Sequence, residues 1–312
     1  MNSSFSHALN TVQFAWDNTS LSALEKCPRY YKLAIIDGWV PRSESAHLTF
    51  GLCYHNALEV YDHKRADGMD HAAATVEAVR ACLRSTWSRE LNRPWSSDIP
   101  EKNRFTLVRT VVWYLDQFKD DPLKTIILAN GKPAVELSFR FEVPGMTAPT
   151  GEQILLTGHL DRVASMGKDL YIVDRKTSKN SIEGQDYFDK YSPDSQMSQY
   201  DFAGRVIYNL PIQGVIIDAA QVLVTLSRFR RGMVPRTDSL RREYFQTTKH
   251  FIRQAFTYSE MNWWPMNYQS CGLYGGCVFR KICGKSPEVR DSWLSATFKK
   301  RVWDPLKVRG DI

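Results

Sequence analysis

No apolar run in this 312-residue chain approaches the roughly 18 residues that a membrane-spanning helix needs, so no such helix is expected. Met1 to Asn10 lack a cationic stretch followed by an apolar core, so a secretory leader is not expected either, and a cytoplasmic location is. Internal repeats, low-complexity stretches and the phosphate loop G-x-x-x-x-G-K-[ST] are all missing, so neither a repeat array nor a fused P-loop motor is expected. Cysteine is scarce, at six residues, and disulfides are not expected in a reducing compartment. Three of the six, Cys271, Cys277 and Cys283, are spaced C-x5-C-x5-C, wider than the C-x2-4-C pairs of zinc sites, and neither a second pair nor a nearby histidine completes one.

What is present suits a sizeable core. At 43% hydrophobic residues, the chain can form one large domain or two. Apolar spacing predicts helices near 20–36, 46–64, 71–92 and 102–129, then strands at 134–143, 153–165 and 170–178. A helix near 194–209, bounded by Pro193 and Asn209-Leu-Pro211, a strand at 213–225 and a helix at 237–259 complete an α/β pattern. The expected organisation is a helical region over 1–130, a mixed core over 131–235 and a C-terminal segment over 236–312, integrated as one domain.

The densest chemistry lies in Thr157-Gly-His-Leu-Asp-Arg-Val163 and Tyr171-Ile-Val-Asp-Arg-Lys-Thr-Ser178, two β-branched stretches around Met166-Gly-Lys-Asp169. They read as an antiparallel hairpin. With a two-residue Gly167-Lys168 turn, Asp161 faces Asp174, and alternation puts His159, Asp161, Asp174 and Lys176 on one face. Opposed carboxylates at a Cβ separation of roughly 5 Å repel unless a cation lies between them or a proton is shared. Hard oxygen donors point to Mg2+ or Mn2+. A lysine two residues on projects to the same side, where it can hold a water and offset charge developing on a phosphate. An exposed hairpin with ordinary surface charge is the plainer reading of a lone D-x-K.

Elsewhere, His55 and Glu59 share one face of a helix, and Gln196 and Tyr200 are one turn apart on another. Each has a structural alternative, a satisfied histidine in the first case and helix packing in the second. Glu136 is either a further acid near the metal or part of a solvated strand face. The net charge is +7, with Arg228, Arg230, Arg231, Arg236, Arg241 and Arg242 clustered and Lys299-Lys-Arg301 set among Trp293, Phe298 and Trp303. Cations mixed with aromatics suit a nucleic-acid backbone and stacked bases, although solvated surface explains any single run.

Four separated motifs carry a family resemblance. They are Ser20-Leu-Ser-Ala-Leu-Glu-Lys-Cys-Pro-Arg-Tyr30, Gly51-Leu-Cys-Tyr-His-Asn-Ala-Leu-Glu59, the Gly158, Asp161, Asp174 and Lys176 hairpin, and Gln196-Met-Ser-Gln-Tyr200. Together they resemble the PD-(D/E)xK nuclease superfamily, in its RecB/AddB/Cas4-like branch with an iron-sulfur cluster. The resemblance implies a restriction-endonuclease-like αβββαβ core with an N-terminal helical elaboration and a C-terminal cysteine-ligated cluster segment. It implies a divalent ion, Mn2+ or Mg2+, held by His55, Asp161, Asp174 and the backbone carbonyl of Arg175. Lys176 is then the catalytic lysine, with Gln196 and Tyr200 positioning DNA. It also implies a [4Fe-4S] cluster on Cys27, Cys271, Cys277 and Cys283, whose spacing is wider than the commonest family form, and leaves Cys53 and Cys82 as ordinary thiols. The function expected is a metal-dependent DNA exonuclease, acting on single-stranded ends, with recombination or CRISPR-adaptation proteins as partners and no membrane. A DNA-binding adaptor that keeps the nuclease fold and a structure-specific endonuclease are the alternatives.

Overall fold

A computed structural model describes residues 12–43, 45–89 and 92–307; the leader reading at residues 1–10 lies outside them. The fold is mixed α/β around a mixed sheet. Among the described residues, contacts group those within 45–137 and 159–241 into one compact unit and those within 12–43, 138–158 and 242–307 into another.

The first of these units opens with three helices, α1 (Ala46–Ala66), α2 (His71–Ser85) and α3 (Arg104–Gln117). Side chains cap each start: Ser45 accepts from the Leu48 N–H, Asp70 from Ala73, and Asn103 forms a capping box with Thr106. Their inner faces, including Phe50, Tyr54, Ala57, Ala78, Leu107 and Val111, form one core with sheet residues Ala220, Val222 and Phe229. The expected helix over 102–129 stops early. Pro122 disfavours helical backbone at Asp121 and donates no N–H, and the chain then runs into the two-residue strand Lys124–Thr125.

The strands are β1 (Val135–Thr147), β2 (Gln153–Met166), β3 (Asp169–Ser178), β4 (Ile212–Val222) and β5 (Ser227–Val234), and the unit boundaries fall within β1 and β2. From His159 onward, β2 pairs antiparallel with β3, β3 parallel with β4, and β4 antiparallel with β5. The parallel step needs a crossover, supplied by helix α4 (Ser195–Phe202) and the π-helical turn Ala203–Ile207. Gly204 seats that crossover: an added Cβ would lie 2.8 Å from Ile212 and 3.0 Å from Ile172. α1–α3 therefore cover one sheet face and α4 the other, and the αβββαβ order is present. β5 was not among the expected strands.

In the second unit the expected helix over 20–36 is broken. Asn18–Lys26 ends at Cys27, whose extended backbone (φ −169°, ψ 117°) precedes Pro28, and helix resumes at Pro28–Tyr31. Trp16 stacks on Tyr31 at 5.3 Å, both fully buried. The C-terminal part comprises most of helix α5 (Asp238–Glu260), a 3-10 segment Tyr268–Gly275 and the helices Arg280–Cys283 and Arg290–Thr297. No helix among the described residues is long and apolar enough to cross a membrane.

Candidate metal centre

The Gly167-Lys168 turn sets the register. Gly167 takes φ +64°, Met166 pairs with Asp169, and the ladder runs to Arg162 opposite Val173. Asp161 and Asp174 come next, on one face, as a two-residue turn predicts. Backbone pairing of β2 with β3 ends there. The Arg175 N–H instead donates to Asp161 Oδ2 at 2.9 Å, so a buried carboxylate takes an amide that would otherwise need a carbonyl.

His55 reaches the same oxygen from α1, with Nδ1 at 3.4 Å. Gly51, one turn earlier, brings α1 close to β3: an added Cβ would lie 3.8 Å from Thr177 Oγ1. Glu136 completes a trio in which one donor atom each from His55, Glu136 and Asp161 lies within 4.8 Å of the others. Its backbone is left-handed, with φ +48°, a conformation that costs a side-chain-bearing residue on the order of 1–3 kcal/mol and persists where the surroundings impose it.

Asp174 faces a different partner. The Lys176 ammonium lies 3.0 Å from its Oδ1 and 2.9 Å from its Oδ2, and also donates to Gln196 Oε1 at 3.0 Å. Gln196 Nε2 in turn donates to the Tyr200 hydroxyl at 2.9 Å, and Asp194 anchors the start of α4 by accepting from the Gln196 N–H. One turn of α4 thus hands a polar chain from the lysine to a phenol.

Burial sends the two aspartates in opposite directions because their neighbours differ. Although burial would raise Asp161, the His55 imidazole, Lys176 and the Arg175 amide hold it well below the usual carboxylate range. Asp174 is pushed up to about 6 by burial, with the Asp161 charge adding and Lys176 opposing. Burial disfavours the charged forms of His55 and Lys176, yet the adjacent carboxylates raise both pKa values. Three carboxyl groups against one imidazole and one ammonium leave an acid excess, and a hard cation is the species that satisfies it.

A family model described as the PD-(D/E)XK nuclease superfamily matches residues 16–284. The chain belongs to that superfamily. Among solved structures it is similar to a provisionally named exonuclease from Eubacterium rectale, at 10% identity, covering 95% of this chain and 93% of that one, with a TM-score of 0.47. It is also similar to a protein named SSO0001, at 12% identity, covering 58% and 76% with a TM-score of 0.28. With both scores below 0.5, membership rests on the family model. No curated protein matches the chain. PD-(D/E)XK nucleases use divalent metals, which accords with the acid excess.

Gly158 sits beneath an aromatic ring: an added Cβ would lie 2.6 Å from Phe139. The four cysteines of the expected cluster all lie in the other unit. Cys27 Sγ accepts from the Asn267 N–H at 3.3 Å, and the Cys277 N–H donates to the Cys271 carbonyl at 2.9 Å. The Cys283 thiol is raised by burial, with Cys277 and Cys27 adding and Arg29 and Arg290 opposing, which places its neighbours within electrostatic reach. Among the described residues, no three cysteine sulfurs lie within 4.8 Å of one another. Tetrahedral zinc with Zn–S near 2.3 Å would hold its sulfurs roughly 3.8 Å apart. Cys53 and Cys82 are buried in the helical core.

Two residues that shape the site escaped the sequence reading. Asp62, buried on α1, pairs with the Arg175 guanidinium. Asp218, buried on β4, accepts from the Tyr114 hydroxyl and from Arg231 at 3.2 Å. Signals existed for both: Asp62 is two turns from His55 on one helix face, and Asp218 interrupts the apolar run Val215-Ile-Ile217 and Ala219-Ala220.

Proposed function

We propose that this PD-(D/E)XK protein is a divalent-metal-dependent deoxyribonuclease of the RecB/AddB/Cas4-like kind, acting as an exonuclease on single-stranded ends. The observation that carries the reading is the meeting of two sets in one unit: the His55, Glu136 and Asp161 donors, and the Asp174, Lys176, Gln196 and Tyr200 chain. His55, Asp161, Asp174 and the Arg175 carbonyl hold Mn2+ or Mg2+, and Glu136 joins them. The bound ion supplies Lewis-acid polarisation of a phosphate oxygen and a more acidic water. Lys176, kept protonated by its two aspartates, orients that water and offsets charge on the phosphate. Gln196 positions the ammonium and, with Tyr200, contacts the DNA strand.

In the other unit, Cys27, Cys271, Cys277 and Cys283 hold a [4Fe-4S] cluster. Four thiols with no competing histidine suit it, as do an amide donating to the Cys27 sulfur and the nearby Arg29 and Arg290. The cluster is structural, joining residue 27 to the C-terminal segment.

Anaerobically purified protein, given Mn2+ or Mg2+ with linear end-labelled strands and covalently closed circles, tests the reading. Cleavage of linear DNA alone, lost in Lys176→Ala, is expected. Cutting of circles would replace the exonuclease with an endonuclease. No metal-dependent cleavage of either substrate would leave a DNA-binding adaptor. Iron and acid-labile sulfide analysis, alongside Cys277→Ser, tests the cluster independently.

A further inference from the structure

Arg175 alternates with Asp174 and Lys176, so its side chain lies on the opposite sheet face. There the unit holds a cavity of about 210 Å³. Five cations line it, Arg65, Lys119, Lys124, Arg162 and Arg175, against two carboxylates, Asp62 and Asp121. Both carboxylates already have guanidinium partners: Asp62 pairs with Arg175, and Asp121 with Arg231 at 2.8 Å. Positive charge around the cavity is therefore left over.

Two of these cations are deeply placed. Arg162, 7% exposed, donates from Nε to Thr125 Oγ1 at 2.8 Å and from Nη2 to the Leu123 carbonyl at 2.6 Å, and among the described residues no carboxylate pairs with it. Arg175, 2% exposed, is held by Asp62. A guanidinium cannot discharge by losing its proton, so a cavity lined by more cations than carboxylates is a costly arrangement unless an anion enters it. Lys119 and Lys124 are exposed and make no ion pair among the described residues. The volume falls below the roughly 300 Å³ at which pockets for drug-sized ligands begin, which suits a phosphate group as the part of the ligand held inside.

We propose that this cavity is a binding site for a phosphate group, either free phosphate or the 5′-phosphate of a single nucleotide. Arg162 and Arg175 fix positive charge on two adjacent strands, their own hydrogen bonds to Thr125, Leu123 and Asp62 holding them in place, and the exposed lysines add charge and attract the ligand. Tyr61 and Ile127 give the lining the apolar surface that a nucleotide would use. The site is separate from the metal centre and does not depend on the nuclease reading.

Equilibrium dialysis of chelator-treated, metal-free protein against labelled inorganic phosphate, and separately against deoxyadenosine monophosphate, tests the proposal. The proteins compared are the unsubstituted chain, Lys119→Ala/Lys124→Ala and Lys176→Ala. Saturable binding of one ligand per chain is expected, weakened at least about tenfold by the exposed double substitution and unchanged by Lys176→Ala. Tighter binding of the nucleotide assigns that source, and equal binding assigns free phosphate. Absence of saturable binding, indifference to the double substitution, or loss in Lys176→Ala would each overturn the proposal, the last by moving the phosphate to the metal centre.

Discussion

The two faces of β3 carry charge in opposite ways. On one, Glu136, Asp161 and Asp174 outnumber His55 and Lys176. On the other, three described acids each have a guanidinium: Asp62 with Arg175, and Asp121 and Asp218 with Arg231. Consecutive residues of one strand thus serve a site where acids outnumber bases and a network whose described carboxylates are paired and whose cations are in excess. Buried charge by itself does not mark a functional centre; the imbalance of sign does.

One substitution made on each face exposes the contrast. Asp62→Asn leaves the buried Arg175 guanidinium without its carboxylate, and losing one partner of such a pair costs about 3–5 kcal/mol. Denaturant unfolding of the metal-free protein should show that loss, and a change under about 1 kcal/mol would mean that the pair is not what supports Arg175. Asp174→Asn should do the reverse. Relief of repulsion with Asp161 offsets loss of the charge that faces Lys176, so metal-free stability stays within about 1 kcal/mol, while cleavage falls on the order of 10²–10³-fold. A fall in stability as large as that of Asp62→Asn would erase the difference between the faces.

Glu136→Gly sharpens the same comparison on a smaller scale. Glycine accepts φ +48° without the steric penalty, and one carboxylate leaves the crowded trio. Metal-free protein should gain about 1 kcal/mol, while metal affinity, read by calorimetry, falls. Lower stability with unchanged affinity would assign Glu136 to the strand alone.

How much of this was written in the sequence depends on distance along the chain. The hairpin register follows from four adjacent residues, Met166 to Asp169, and the face shared by Asp161, Asp174 and Lys176 follows from strand alternation. The Cys27-Pro28 and Asp121-Pro122 steps are local as well: the first marks where an expected helix breaks, and the second lies just beyond the end of another at Gln117. By contrast, the paired network joins α1, the segment after α3, β4 and β5, which no local pattern links. β5 was hidden because Arg228, Arg230 and Arg231 read as a basic surface run, whereas Phe229 and Arg231 turn towards the helical layer. The left-handed backbone of Glu136 has no signature in the residue type at all.

Lys102 belongs to neither face and isolates what unpaired burial does alone. It is 2% exposed, its ammonium sits 4.2 Å from the Phe50 ring centre, and it has no hydrogen-bond partner. Burial lowers its pKa to about 8, against a weaker opposing effect from Glu101. Between about 8 and the ordinary value of 10.5, the unfolded chain holds a proton that the folded chain has released, so stability contributed by this residue rises with pH across that window. Below it both states are protonated, and the full cost of burying the charge remains. Lys102→Met should therefore be the more stable protein at pH 7.5, with the gap closing towards pH 10.5. Tyrosines that titrate near the upper limit act equally on both chains, so the difference between their denaturation midpoints isolates Lys102. Parallel curves would mean that the ammonium finds solvent or a partner, and that a cation–aromatic contact suffices where Arg175 needs a carboxylate.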